Sequence, residues 1–394
     1  LPILLLPQAT AVPAWVWIPL AAVDLGLLVA FFVLQPAGKA TFVALVGVLG
    51  VAVLAAAASQ AFAMTPPILG ADGKPLPGSI ATLETVTLNG SQQWISIRGH
   101  DTSKPVLLFL AGGPGGSQLS TERFALGELE QHFIVVNWEQ PGAGKSFDAV
   151  DRASLTPERY IEDAHALVTL LKMRFDQEKV YVLGESWGSA LGIWLVQRYP
   201  EDFHAFIGTG QMVAFLENDL MCYDFALDWA RQRGDTAKVD ALTQQGPPPY
   251  YGPGTAWKEA AFLTDTFTYM NQNPAIRDNG FSTWRDLAAP EYGLYDKVSW
   301  FRGVLETLDV VYPQLWEVDF RQQATQLEVP VYFLIGRHDI NAPTVLTEQY
   351  YAVLEAPHKE IVWFEHSGHN PWVSESARFV EVMVETVLAQ TQQP

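Results

Sequence analysis

The sequence predicts an α/β fold: a mostly parallel eight-stranded sheet, covered on both faces, with an inserted helical cap and two transmembrane helices ahead of it. Three observations carry that prediction. Short apolar runs alternate with helical patterns from residue 81 onward. One interval of roughly 120 residues interrupts the alternation, too long for a plain loop. Residues 1–64 hold only two charges, Asp24 and Lys39.

The apolar front explains an oddity of composition. The 394 residues carry a net charge of −19 and a pI near 4.7, yet mean hydropathy is positive, +0.09. Trp15 to Leu34 is a 20-residue apolar run broken only by Asp24, and Thr41 to Met64 is a 24-residue stretch without charge. At about 1.5 Å per residue, each reaches across a hydrocarbon core of about 30 Å. Gln35-Pro36-Ala37-Gly38-Lys39-Ala40 has turn chemistry, so residues 1–64 read as a hairpin spanning about 15–34 and 41–64. Trp15 and Trp17 fall where an interfacial aromatic belt would lie. A cleaved signal peptide does not fit two spans with no basic leader. The expected partner of this region is therefore a lipid bilayer. Lys39 in the turn would put that turn in the cytoplasm and the large domain outside, by the positive-inside rule. The opening Leu1-Pro2-Ile3-Leu4-Leu5-Leu6 resembles the tail of a further apolar segment. Asp24 is costly in mid-span, and no role is assigned to it.

The charge of −19 belongs to the remainder, because Asp24 and Lys39 cancel. An acidic chain is a poor match for nucleic acid, whose phosphates call for a basic face. A single cysteine, Cys222, excludes a disulfide framework and cysteine-rich metal centres, and reads as a small buried apolar residue. Residues 65–80, rich in Pro and Gly, read as a linker. Thr82–Leu88 and Gln93–Arg98 flank Asn89-Gly90, a strong hairpin signal. Strand-like runs follow at Val106–Leu110, His132–Asn137, Val180–Leu183, Ala205–Ile207, Val331–Ile335 and Glu360–Phe364. Pro157–Phe175 is helical in pattern, with Thr156 as N-cap. The core is thus expected over 81–210 and 329–394, with the cap over 211–328.

The most informative stretch is Val180–Gly192, a β-rich run entering Gly184-Glu185-Ser186-Trp187-Gly188 and leaving into a small-residue helix. A G-x-S-x-G sequence between strand and helix suits a sharp turn that holds an exposed, strained serine. Chain order then points to an acid and a histidine downstream. Asp339 follows the strand Val331–Ile335, and His369 follows Glu360–Phe364; His369 is preferred to His366 as general base. Such a site needs donors for a developing oxyanion. The backbone N–H groups of Trp187 and of Gly113, with Gly112 as alternative, are placed to supply them. The histidines show no metal-ligand spacing, and no calcium-loop motif is present. Glu139–Ser146 ends like a phosphate-binding loop, but Glu139 stands where the first glycine must be.

With these residues in hand, residues 80–390 resemble the α/β-hydrolase fold and, within it, the proline iminopeptidase family of serine aminopeptidases. The resemblance rests on Leu110–Gly116, Trp138–Ser146, Gly184–Ser189, Gly336-Arg337-His338-Asp339 and Ser367-Gly368-His369. It implies Ser186 as nucleophile, Asp339 as acid and His369 as base; no cofactor and no metal are expected. It also implies a helical cap whose carboxylates bind the free α-amine of a peptide. Glu217, with Asp219 second, is the candidate anchor. Ala111, Glu139 and Glu185 depart from the family's usual His, Asp and Gly. The expected activity is release of N-terminal residues from peptides by a membrane-anchored serine hydrolase. The alternatives are an esterase or lipase on small or membrane-derived acyl substrates, and a non-catalytic accessory subunit whose membrane-complex partners are unknown.

Overall fold

The computed structural model describes residues 2–33, 38–277 and 282–391. Leu34 to Ala37, the end of the first expected span and part of the expected turn, lie outside the described residues, as does Leu1. Eight strands, β1 (Ile80–Leu88), β2 (Ser91–Gly99), β3 (Val106–Leu110), β4 (Ile134–Trp138), β5 (Val180–Glu185), β6 (Phe203–Thr209), β7 (Val331–Gly336) and β8 (Lys359–Phe364), form one sheet. Their order is β1-β2-β4-β3-β5-β6-β7-β8. β1 and β2 are antiparallel around Asn89-Gly90, both at positive φ as a tight primed turn requires. β2 meets β4 antiparallel, and from β4 to β8 every pairing is parallel.

The parallel strands read as continuous apolar runs because both faces are buried. Side chains alternate between two cores: Leu108 and Leu110 of β3 join one, Leu107 and Phe109 the other. The first core is closed by the helices Pro157–Phe175 and Trp187–Arg198, the second by Leu119–Leu126 and the C-terminal helices. The hydroxyl of Thr156 accepts from Arg159 N–H at 3.1 Å, capping a helix that starts with Pro157. β4 begins at Ile134, not His132, because a 3-10 turn over Gly127–Gln131 draws His132 N–H back to Leu129.

The cap supplies helices Phe215–Gln232, Thr236–Gln245, Thr255–Gln272 and Leu294–Arg302, the last running into a π-turn at Gly303–Thr307. Here backbones touch: a Cβ on Gly115 would sit 2.2 Å from Gly303 O, and one on Gly303 would sit 2.5 Å from Gly115 O. Thr307 Oγ1 donates to Gly142 O at 2.8 Å beside it.

At the N-terminus, helices Ala14–Val33 and Lys39–Ala61 pair side by side. Both are long and apolar enough to span a membrane, and Val29, Phe42, Leu49 and Val53 are exposed on their surface. Trp15 packs edge-on against Phe62 at 5.8 Å, and Asp24 is buried. Two short helical turns, Pro2–Leu5 and Leu6–Ala9, fold back so that Ile3 and Leu6 pack with Val12 and Ala55. The segment 65–80, expected as a linker, is tied down at its start. Arg98 donates to Thr65 Oγ1 at 2.8 Å and to Pro66 O, and Leu69 bridges Pro75.

Candidate active site

The sheet order reverses at β3: β4 lies to one side and β5 to the other. Loops after β3 and β5 therefore part from a shared crevice at the carboxyl edge, where open α/β sheets place ligands. Ser186 stands at the end of β5 with φ 53°, a rare conformation for a non-glycine residue. The turn is too tight for side chains on either flank. A Cβ on Gly184 would fall 2.3 Å from Gly188 O, and one on Gly188 would fall 2.0 Å from Leu110 O. Ser186 N–H donates to Thr209 O at 3.0 Å, and its carbonyl accepts from Ser189 Oγ at 2.6 Å, so neighbouring elements hold the strained residue.

The loops after β7 and β8 bring Asp339 and His369 together. Asp339 Oδ2 meets His369 Nδ1 at 2.9 Å, while Oδ1 accepts from Asn341 N–H and Ala342 N–H, each at 2.9 Å. Both side chains are buried. Burial disfavours the imidazolium, but the charge and hydrogen bond of Asp339, with help from Glu185, outweigh it and raise the His369 pKa. His369 Nε2 faces Asn341 Nδ2 at 3.2 Å and Glu185 Oε1 at 3.7 Å. His366 is placed elsewhere, its ring against Ala275 O and its N–H on Glu375, and His338 leans on Glu365 O.

A small cavity of about 60 Å³ joins Ser186 to Gly113, Trp187, Asp219, Tyr312 and Asn341. Gly112 N–H is occupied by Gln118 Oε1 at 3.3 Å, whereas Gly113 lines the cavity. The loop after β4 braces both sides: Gln140 donates to Ala111 O at 3.0 Å and accepts from the Trp187 indole at 2.9 Å. Glu139 closes that loop on itself, accepting from Ser117 Oγ and from Lys145 N–H at 2.7 Å. Burial pushes its pKa up to about 7. Lys145 is engaged with Asp296 at 2.7 Å, so the lysine is not presented to a phosphate. Glu185, at the second position of the elbow, is buried and accepts from Gln118 Nε2 at 3.0 Å; burial raises its pKa.

The two candidate amine anchors are separated. Glu217 is half-exposed, pairs with Arg321 and borders a different depression, beside Leu220 and Trp316. It does not reach the Ser186 cavity, because residues two apart on a helix point to opposite sides. Asp219 is on the inward side. Its Oδ1 accepts from Tyr312 OH at 3.1 Å and Asn218 Nδ2 at 3.0 Å. Behind it lies Glu259, buried on the helix Thr255–Gln272 and missed by the sequence reading. The two carboxyls lie within hydrogen-bond reach of each other, and Asp219 Oδ2 and both Glu259 oxygens have no donor outside the pair. Burial raises both pKa values, Glu259 the more, because the charge on Asp219 adds to burial. One proton shared by the pair, or one cation beside it, would relieve the clash. Glu259 shares a helix face with buried Ala256, Phe262, Thr266 and Met270, and a carboxylate on an apolar stripe is the signal that could have found it. Cys222 is buried, its thiol donating to Ile340 O and Asn341 O. Among the described residues, no cluster of three or more His, Cys, Asp or Glu side chains could hold a metal ion.

Residues 105–375 match the family model described as the alpha/beta hydrolase fold. The probable aminopeptidase YbaC of Bacillus subtilis strain 168 is 29% identical over 321 residues, 77% of this chain and 96% of its own length. A proline iminopeptidase of Lactobacillus helveticus is 33% identical over 122 residues, 30% of this chain and 40% of its own length. The crystal structure of the Mycobacterium smegmatis proline iminopeptidase superposes with a TM-score of 0.57 at 17% identity, covering 78% of this chain and 98% of that one, a likeness of fold.

Proposed function

The chain belongs to the α/β-hydrolase family, and from that premise we propose that it is a membrane-anchored serine aminopeptidase of the proline iminopeptidase type. The observation that carries this reading is the donor-poor carboxyl pair Asp219–Glu259, because Asp219 opens into the cavity of Ser186, Gly113 and Trp187. A protonated α-amine fits there: it neutralises the buried charge and donates to oxygens that have no donor outside the pair. The nearby cavity has room for about four waters, the size of a small residue side chain rather than a fatty acyl chain.

With the amine held, the adjacent carbonyl lies over Ser186. Ser186 Oγ attacks and His369 Nε2 takes the proton, while Asp339 fixes the imidazole through Nδ1. The N–H groups of Trp187 and Gly113 receive the oxyanion. His369 then protonates the departing amine, and water, deprotonated by the same imidazole, releases the acyl group from Ser186. Nε2 must turn from Asn341 to Ser186 as substrate enters. The apolar hairpin, with its exposed surface, supports attachment to a bilayer.

A fluorophosphonate probe tests the serine chemistry: labelling of the folded protein, absent in Ser186→Ala, is expected, and no adduct would leave only the accessory-subunit reading. Turnover of prolyl-arylamide over short-chain esters separates peptidase from esterase. Preference for an ester without a free amine would overturn the aminopeptidase reading.

A further inference from the structure

The second hairpin helix ends on the cap. Ser59 Oγ accepts from Leu294 N–H at 2.8 Å, Gln60 Nε2 donates to Asp296 Oδ1 at 2.8 Å, and Met64 N–H donates to Pro290 O at 3.0 Å. Leu294 itself packs into the apolar cluster of the hairpin, with Val12 and Ala55. Hairpin end and cap helix Leu294–Arg302 are therefore held as one piece.

Their relative height follows from helix geometry. Val53 and Leu54 are exposed, as lipid-facing residues are. The helix Lys39–Ala61, 23 residues, is about 34 Å long by helical rise against about 30 Å of hydrocarbon, so Ser59 and Gln60 at its end stand at the edge of the acyl layer. The headgroup layer outside the hydrocarbon is about 5–8 Å thick on each side. The first turn of the cap helix thus lies at headgroup level. Leu294, Val298 and Phe301 are spaced i, i+4, i+7 and share one face. The first of them packs on the hairpin; Val298 and Phe301 are 55% and 50% exposed. The charges of this helix are engaged elsewhere: Asp296 with Lys145, Lys297 with the carbonyls of Ala289 and Tyr292, Arg302 with Glu306. Leu4 and Leu5, in the turns folded back on the hairpin, are exposed as well.

We infer that the cap lies on the bilayer surface, with Val298 and Phe301 seated at the boundary of headgroups and acyl chains. The partner is lipid because the exposed stripe continues the lipid-facing surface of the hairpin. This rests on the reading of the hairpin as membrane-spanning, and the test separates the two. Cys222 is buried and is the sole cysteine, so single new cysteines can be labelled selectively. The full chain is reconstituted in phosphatidylcholine vesicles, with NBD at Val298→Cys, Phe301→Cys, Val53→Cys or Met173→Cys, the last on an exposed core position. Spin-labelled lipids are then added. At 298 and 301, a shallow nitroxide is expected to quench at least about twofold more than at 173, and more than a deep nitroxide does. Quenching at 53 but not at 298 or 301 would overturn the docked cap and leave the spans standing. No quenching at 53 would overturn both.

Discussion

Two buried carboxylates close to Ser186 meet opposite fates. Asp339, in the core, receives two backbone N–H groups and the imidazole of His369. Asp219, in the cap, shares its surroundings with a second carboxyl, and three oxygens of the pair lack a donor outside the pair. The core half of the site is electrostatically complete before any substrate arrives; the cap half is not. A group satisfied at rest orients chemistry, whereas one left short of donors selects a ligand that supplies them. On the proposed function, catalytic competence and specificity are thus lodged in different parts of the chain.

The comparison can be broken at several points. Ser186→Ala should lower kcat on prolyl-arylamide by on the order of 10⁴–10⁶-fold, measured with enzyme free of wild-type carry-over. Asp339→Asn should cost about 10⁴-fold, since the imidazole would be held in the wrong tautomer. Asp219→Asn or Glu259→Gln should raise KM about 10–100-fold for substrates with a free α-amine, leaving amine-blocked esters unchanged. Equal losses on both substrates would place the pair in a structural role. Glu259→Gln should also raise the Tm by about 2–5 °C, because the amide is neutral already and folding no longer has to protonate a buried carboxyl.

The pH dependence differs between the halves. In the proposed mechanism His369 must be neutral, so kcat/KM should fall as pH drops through its raised pKa, giving an acidic limb above the ordinary imidazole value of about 6.5. The stability from the His369–Asp339 pair is full below about pH 6.5 and is lost as pH rises through the folded-state pKa. Asn341 donates to the neutral ring, so Asn341→Ala should move the acidic limb upward by about 0.3–0.5 pH unit, the smallest effect here. A downward shift would mean that the amide presents its oxygen instead.

The core half was legible because local backbone demands are written locally. A strand, two glycines and a serine specify the elbow within five residues, and Asp339 and His369 each follow a recognisable apolar strand. The cap half depends on helical phase and on contacts between distant segments. Glu217 and Asp219 look alike as letters; only burial of Phe215, Asn218, Cys222 and Ala226 shows which side turns inward. Glu259 meets Asp219 from another helix, 40 positions along the chain. Asn341 has no distinguishing neighbourhood in the sequence. The segment 65–80 reads as a linker by composition, yet Arg98 ties its start to the core.

The contact between Gly303 and Gly115 bears on how this enzyme could be redesigned. Gly115 belongs to the loop that presents Gly113, and Thr307 fastens the same turn of the cap to Gly142. A cap borrowed from a relative would arrive with its own turn against these loops, and any side chain at position 303 would drive into the peptide backbone. The transplantable unit for a change of substrate is therefore the cap together with both glycine loops beneath it.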